Sequence, residues 1–306
     1  MSTEMFPTPA PAPRAWRRVA ACAALGSAAW LSHLAVAQAA EPNPAGLCAA
    51  LQSQYPQFKG KTLVDALNPH TPGYEALDPK DPSRYVGFDV DLAESLGKCL
   101  GFSVKYTPVA FAALLPTLQS GRADFVISDI YATKERARAA DFITYSKVFD
   151  GVLVAKDNPK KISGINQSLC GLTAAENTGF VEVPLVQNLA AACKAAGKPA
   201  PTVQLYDNNA ACIQAVLAGR ADTYINDVKT VDQAVKAYPQ QLSKALAVTL
   251  PYHIGIAVPQ NNHALRDAIV AALKALQASG AQAALMRKWG LDQGAVEAPT
   301  LVTAQG

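Results

Sequence analysis

The chain has 306 residues, half of them hydrophobic and 17% charged, with 27 basic against 24 acidic side chains. It carries no basic run and no aromatic–basic stripe, which excludes nucleic acid and an anionic membrane surface as natural partners. The length suits one large domain or two lobes of ordinary size.

The first 39 residues stand apart. Arg14, Arg17 and Arg18 precede an apolar stretch from Val19 to about Val36, followed by small residues ending at Ala37 and Ala39. This is the pattern of a secretory signal peptide cleaved after Ala39 or Ala37. Arg17-Arg18 is a weak echo of twin-arginine export. Cys22 follows arginines rather than an apolar core, so it is not expected to carry a lipid anchor. The expected product is a periplasmic protein with no later segment apolar enough to span a bilayer. Removing the leader takes away three basic residues and Glu4, leaving 24 basic against 23 acidic, with Cys48, Cys99, Cys170, Cys193 and Cys212. An oxidising compartment permits pairing, and an odd count leaves one thiol over. There is no C-x-x-C, and His70, His253 and His263 lack metal-ligand spacing, so neither metal nor cofactor is expected.

Beyond Lys61, strand-like and helix-like patterns alternate. Residues 62–67 form a short buried strand. Asp89 is expected to cap a helix with Leu92, Leu96 and Cys99/Leu100 on one face, stopped by Gly101. Phe102, Val104 and Tyr106 alternate with polar residues, as in a strand. Residues 111–119 are a short helix ended by Gly121, and 125–128 the next strand. After 151–155 and the break at Asn158-Pro159 the scheme restarts: a strand at 171–175, a helix over 181–196, and a strand at 202–206. A helix over 209–218 and a strand at 222–226 follow. Asp227 then caps a helix through Ala237. A strand at 253–258 and helices at about 263–278 and 281–289 complete the chain. Such alternation implies mostly parallel sheets flanked by helices.

One repeat gives this scheme meaning. GRADFVISD at residues 121–129 returns as GRADTYIND at residues 219–227. Each copy is a helix end, a glycine turn and a strand closing on an aspartate, one copy per α/β lobe. Ligands bind outside the carboxyl ends of strands in such sheets. Asp129 and Asp227 are therefore expected at the facing rims of two lobes, with GRAD itself serving as turn chemistry. Thr133 can start a short helix with Arg136 one turn in, and a guanidinium there binds a carboxylate through two parallel hydrogen bonds, each worth about 1.5–3 kcal/mol. Asn177, Thr178, Gly179 and Phe180 lie between a strand end and a helix start, where backbone N–H groups can face an anion. Asp227 for an ammonium and Arg136 for a carboxylate suit a zwitterion.

These residues resemble the extracellular solute-binding proteins of family 3, the polar amino-acid receptors of ABC importers. The resemblance covers nearly all of the chain after the leader. It is carried by Gly87-Phe88-Asp89-Val90-Asp91-Leu92, the F-x-x-L-x-P-x-L-x-S-G-R-x-D run from Phe111 to Asp124, Thr133-x-Glu135-Arg136, Asp141-Phe142, Gly179, and Gly219-Arg220-Ala221-Asp222 with Asp227. It implies the α/β, two-lobed type II periplasmic-binding-protein fold, with a ligand cleft between lobes at 40–152 plus 256–306 and at 153–255. Crossovers near 151–155 and 253–258 act as hinges. It further implies a monomeric, non-enzymatic receptor that captures an amino acid or related amine and hands it to a membrane permease. Arg136 then clamps the ligand carboxylate, Asp227 takes the ammonium and Phe111 packs on the side chain. Asn68, His70 and Tyr74 lie in a loop that contacts ligand, with Asn177, Phe180 and Asn226 on the second lobe.

The chain departs from the family pattern at three of these positions. Asp129 stands where the family has a small residue, Tyr131 where it has Ser or Thr, and Phe180 where Thr is usual. Asp129 either locks Arg136 in a salt bridge or adds a site for a second cationic group, which points to a basic amino acid or similar amine. On this scaffold Cys170 and Cys193 fall at one end of a single βα unit and form the expected bridge. Cys99 can meet Cys48, and Cys212 stays a buried thiol. The alternative is a cyclohexadienyl dehydratase of the same fold, for which Glu176 is the candidate general acid.

Overall fold

The computed structural model describes residues 45–305; the expected signal peptide and its cleavage site lie outside them. The chain opens with α1 (Ala45–Gln54) and β1 (Thr62–Leu67). Residues taken above for a loop form a small antiparallel sheet of β2 (His70–Thr71), β3 (Glu75–Asp78) and β4 (Asp81–Val86). Its turn is fixed by aspartates: Asp78 accepts from the Lys80 N–H at 2.9 Å and Asp81 from the Ser83 N–H at 3.1 Å. Pro72, Pro79 and Pro82 break up the strand pattern that would have shown it.

Helix α2 (Phe88–Leu100) begins at Gly87, not at Asp89 as expected. A Cβ on Gly87 would meet the Tyr74 carbonyl at 1.9 Å, and its φ is 145°, so only glycine fits where β3 passes the helix start. Asp89 thus lies inside the first turn and points into the protein. It accepts from the Asp129 N–H at 2.6 Å and the Tyr145 hydroxyl at 2.8 Å. Gly101 ends α2 in the left-handed region, as expected.

Next come β5 (Ser103–Pro108), parallel to β1, then a 3-10 turn at Phe111–Ala113 and α3 (Leu114–Gln119). The strand expected at 125–128 is reduced to single bridges, Asp65 with Phe125 and Val126 with Ala257. After β6 (Tyr131–Ala132) and a 3-10 turn at Arg136–Arg138 runs β7 (Asp141–Ala155), a strand of 15 residues.

The second half has β8 (Thr173–Asn177), α4 (Glu182–Gln187), α5 (Ala190–Ala195), β9 (Thr202–Tyr206) and α6 (Asn209–Leu217). The single helix expected over 181–196 is thus broken at Asn188-Leu189. Then come β10 (Thr223–Asp227), α7 (Val228–Ala237), the 17-residue β11 (Leu242–Val258), α8 (His263–Ala278), α9 (Ala281–Trp289) and β12 (Leu301–Val302). Among the described residues no single helix is long and apolar enough to cross a membrane.

Parallel pairing joins β1 to β5, and β8 to both β9 and β10. Antiparallel pairing is added by β7 and β11, which run side by side and carry β10 and β6 on their outer edges, in the sheet order β6-β11-β7-β10-β8-β9. The apolar cores follow this division. Phe142, Ile143, Tyr145 and Val148 of β7 pack with α2, α3 and α8, whereas Val152, Leu153 and Val154 pack with Cys212, Tyr224 and Ile225. Each fully buried Leu, Val or Phe contributes about 1.5–3 kcal/mol.

The GRAD echo is an architectural clamp used twice. Asp124 accepts from the Val64 N–H of β1 at 2.7 Å, and Asp222 from the Thr173 N–H of β8 at 2.8 Å. Each carboxylate thereby ties the turn before one strand to its parallel neighbour. Cys48–Cys99 joins α1 to the end of α2 (Cα–Cα 4.4 Å), Cys170–Cys193 closes the βα unit (5.5 Å), and Cys212 is a buried thiol.

Candidate functional site

Arg136 follows β6, where the Thr133 hydroxyl accepts from its N–H at 3.1 Å and starts the 3-10 turn. Its guanidinium donates to the Tyr131 carbonyl and, through the other terminal nitrogen, to the Gly179 carbonyl, both at 2.9 Å. It lies over the Phe111 ring, 5.3 Å from the centroid, within cation–π range. Phe111 in turn packs on Phe180 with centroids 4.3 Å apart. Gly179 holds φ at 87°, and a Cβ there would stand 3.2 Å from Ala112 Cβ, so two segments far apart in sequence meet closely at this point. Among the described residues Arg136 forms no salt bridge, so the Asp129 lock considered above is not made.

Phe111, Asp129, Tyr131, Arg136, Phe180, Val181 and Glu182 enclose a cavity of about 10 Å³, barely the space of one water. On its outer side Arg136, Gly179 and Phe180 border an open cleft of about 860 Å³.

Behind the small cavity lies a group of buried carboxyls. Asp129 sits at φ 42°, a left-handed conformation uncommon outside glycine but tolerated by aspartate. Tyr131 donates its hydroxyl to Asp150 at 3.0 Å. Asp150 and Asp227 are register partners on β7 and β10. Asp227 caps α7 by accepting from the Lys229 N–H at 2.7 Å, and the Tyr74 hydroxyl faces it. Asp227 and Tyr74 line a separate cavity of about 190 Å³ with Lys147 and Phe149. Glu75 accepts from Ser128 at 3.1 Å, beside Asp89.

Loss of hydration raises the pKa of every one of these acids, and mutual repulsion adds to it. Burial and then the charges of Asp227, Asp89, Asp150 and Glu182 push Asp129 well up. Burial and Glu182 do the same to Asp150. Burial and Asp150 raise Asp227 to about 7. Glu182 also rises to about 7, driven by burial and opposed by its hydrogen bond with Asp150. Asp129 Oδ1 is buried without a hydrogen-bond partner, whereas the buried Asp150 and Glu182 carboxyls share a hydrogen bond.

The other candidates fall into two groups. Asn68 and Asn177 line a cavity of about 80 Å³ with Phe111 and Phe180. Asn68 donates to the Val109 carbonyl at 2.9 Å, and Asn177 accepts from Tyr224 at 2.7 Å. Asn226 bonds the Tyr224 hydroxyl and its neighbour's N–H. His70 has an exposed side chain and offers its carbonyl to Asn209 at 3.0 Å. Neither Asn226 nor His70 is brought into the cavity around Arg136. Glu176, the candidate general acid of the alternative reading, is fully buried in β8 and lines none of these cavities.

Sequence reasoning missed Asp150, Glu182, Glu75 and Asp89 as parts of the site. A lone acid inside an apolar strand, as Asp150 in Lys147-Val148-Phe149-Asp150-Gly151-Val152, was the available signal, because such a charge is rarely buried without a purpose.

A mixed sheet with long central strands, parallel flanks and a closed arginine–carboxylate site is the architecture of a type II periplasmic binding protein. Residues 63–292 match the model of the bacterial extracellular solute-binding proteins, family 3, and the chain belongs to that family. The arginine-binding protein ArgT of Corynebacterium glutamicum is 26% identical over 236 residues, covering 77% of this chain and 76% of its own. The ABC transporter arginine-binding protein 1 of Escherichia coli is 28% identical over 223 residues, 71% of this chain and 86% of its own. The solved structure of an ancestral arginine-binding protein bound to arginine superposes with a TM-score of 0.68 at 28% identity, covering 76% of this chain and 99% of that one. These relatives are binding proteins; this chain is an amino-acid-binding protein of the ABC-transporter type and not an enzyme.

Proposed function

We propose that the protein captures a free amino acid as a zwitterion between Arg136 and Asp227 and delivers it, as a monomer in the periplasm, to the permease of an ABC importer. The observation that carries this reading is the Arg136 guanidinium, whose donors and aromatic support on Phe111 face a cavity backed by carboxyls. A ligand carboxylate would compete with the Tyr131 and Gly179 carbonyls for the terminal N–H donors of the guanidinium. The ammonium would meet Asp227, and the side chain would lie between Phe111 and Phe180.

We place the lobes at 40–152 with 256–306 and at 153–255, with hinges near 151–155 and 253–258; the apolar contacts of β7 change from one core to the other between Phe149 and Val152, and those of β11 between Leu246 and Leu250. A cavity of about 10 Å³ admits no amino acid, so entry requires these hinges to open. The relatives' printed names supply arginine as the first ligand to try.

Calorimetry against the twenty standard amino acids tests the reading. At least one should bind, and Arg136→Ala and Asp227→Ala should each weaken it about 100-fold, as the loss of one or two charged hydrogen bonds requires. Binding by none of the twenty, or a loss in only one of the two variants, would reject the zwitterion.

A further inference from the structure

Away from Arg136, three hydrogen bonds cross between the two proposed lobes, and all have the same form. Each runs from a polar side chain within 153–255 to a backbone carbonyl of the other lobe. Lys229 Nζ donates to Gly290 at 2.9 Å, Gln233 Nε2 to Pro72 at 3.1 Å and Asn209 Nδ2 to His70 at 3.0 Å. None of these residues lines the cavity around Arg136.

Lys229 occupies a slot that two glycines leave open. A Cβ on Gly73 would lie 3.3 Å from Lys229 Cγ and 3.4 Å from Cε, and one on Gly290 would lie 2.7 Å from Nζ. The φ angles of 108° and 67° at these positions suit glycine as well. Gly290 caps the end of α9, so the ammonium meets the carbonyl end of a helix, where the helix dipole favours a cation. The basic residues of α9 itself are turned elsewhere, Arg287 to Gln293 at 2.7 Å and Lys288 to Asp91 at 2.6 Å. Among the described residues Lys229 forms no salt bridge, although Asp227, Asp232 and Asp292 line the same cavity. Its charge is given to the other lobe's backbone instead.

The position on α7 makes these contacts sensitive to closure. Lys229 and Gln233 stand one turn apart on the same face. The buried Val231 and the Asp232–Lys244 ion pair at 2.5 Å fasten α7 to its own lobe, so the helix moves with that lobe. The same helix begins at Asp227, whose carboxylate accepts from the Lys229 N–H. We propose that Lys229, Gln233 and Asn209 form a latch that holds the lobes closed and sets how long an amino acid stays bound, without touching it. This rests on the two-lobed reading above, and goes beyond it by assigning residence time to residues outside the ligand cavity. The latch bonds form only after the lobes have met, so they slow release and leave capture unchanged.

Trp289, the one tryptophan beyond the expected leader, adjoins Gly290 and supplies the reporter. Stopped-flow fluorescence with L-arginine should give association rates within about twofold for wild type and Lys229→Met/Gln233→Met. Release should be about tenfold faster in the double variant, as the loss of two hydrogen bonds requires. Lys236→Met, exposed on the same helix, should change neither rate. Thermal melting checks that all three proteins are folded. Small-angle scattering with no amino acid added gives a reading independent of any ligand, and the double variant should have the larger radius of gyration. Equal release rates, or equal radii of gyration, would overturn the latch while leaving the zwitterion reading intact. Failure of L-arginine to bind wild type would instead reject that choice of ligand, and scattering alone would then decide the latch.

Discussion

At the scale of single residues, the buried acids set the protein's response to pH. Glu182 holds its proton up to about 7 in the folded chain, whereas in the unfolded chain it titrates near the ordinary glutamate value of 4.5. The folded state thus binds the proton more tightly, so this contribution to stability is full below about pH 4.5 and is lost as pH rises through 7. Asp227, raised to about 7 from 3.8, acts in the same direction. Melting of the ligand-free protein should show a higher Tm at pH 5 than at pH 8. Glu182→Gln should raise the Tm at pH 8 with little effect at pH 4.5, by on the order of 2–3 kcal/mol of stability or several degrees. An unchanged pH profile in that variant would show that the proton resides elsewhere among the carboxyls.

At the scale of elements, the junction of β7, β10 and α7 decides how the site is held. Asp227 ends β10 and starts α7, so any displacement of α7 moves the proposed ammonium site. Gly151 of β7 lies under that helix, and a Cβ there would press on Val231 at 2.7–3.0 Å from its Cβ and both methyl carbons. Gly151→Ala is expected to cost about 1–3 kcal/mol by overpacking and to weaken amino-acid binding with no ligand contact altered; wild-type stability and affinity would refute this.

The same junction shows what the sequence made legible. Asp227 as a helix cap, Gly101 as a helix end and the doubled GRAD turn are local features, decided by residues a few positions apart, and each is visible in the chain order. The mostly apolar, β-prone run from Phe142 to Tyr145 was also there to be seen, yet β7 was expected only at 151–155. Its full length depends on pairing with β11, a partner about a hundred residues away whose own pattern is broken at Pro251 and by bulges. The carboxyl group is the extreme case. Glu75, Asp89, Asp129, Asp150, Glu182 and Asp227 come from six separate stretches, and only the fold reveals that they meet.

At the scale of the whole molecule, two disulfides fasten one end of each half. Cys48–Cys99 closes a separation of 51 residues and Cys170–Cys193 one of 23. Loop-closure estimates place each at about 3–4 kcal/mol. Reduction should therefore lower the Tm markedly without disturbing the site, since none of the four bridged cysteines lines the cavity. Melting curves with and without reductant, alongside binding of L-arginine below the reduced Tm, check both halves of that statement.

The two carbonyls held by Arg136 bear on what any measured affinity would mean. Tyr131 and Gly179 lie far apart in sequence, and this one side chain joins their backbones. An incoming carboxylate competes with the protein's own backbone for the same fork. The observed dissociation constant is thus an exchange constant, and a variant that frees Gly179 from Arg136 while keeping the guanidinium would bind more tightly than nature's version.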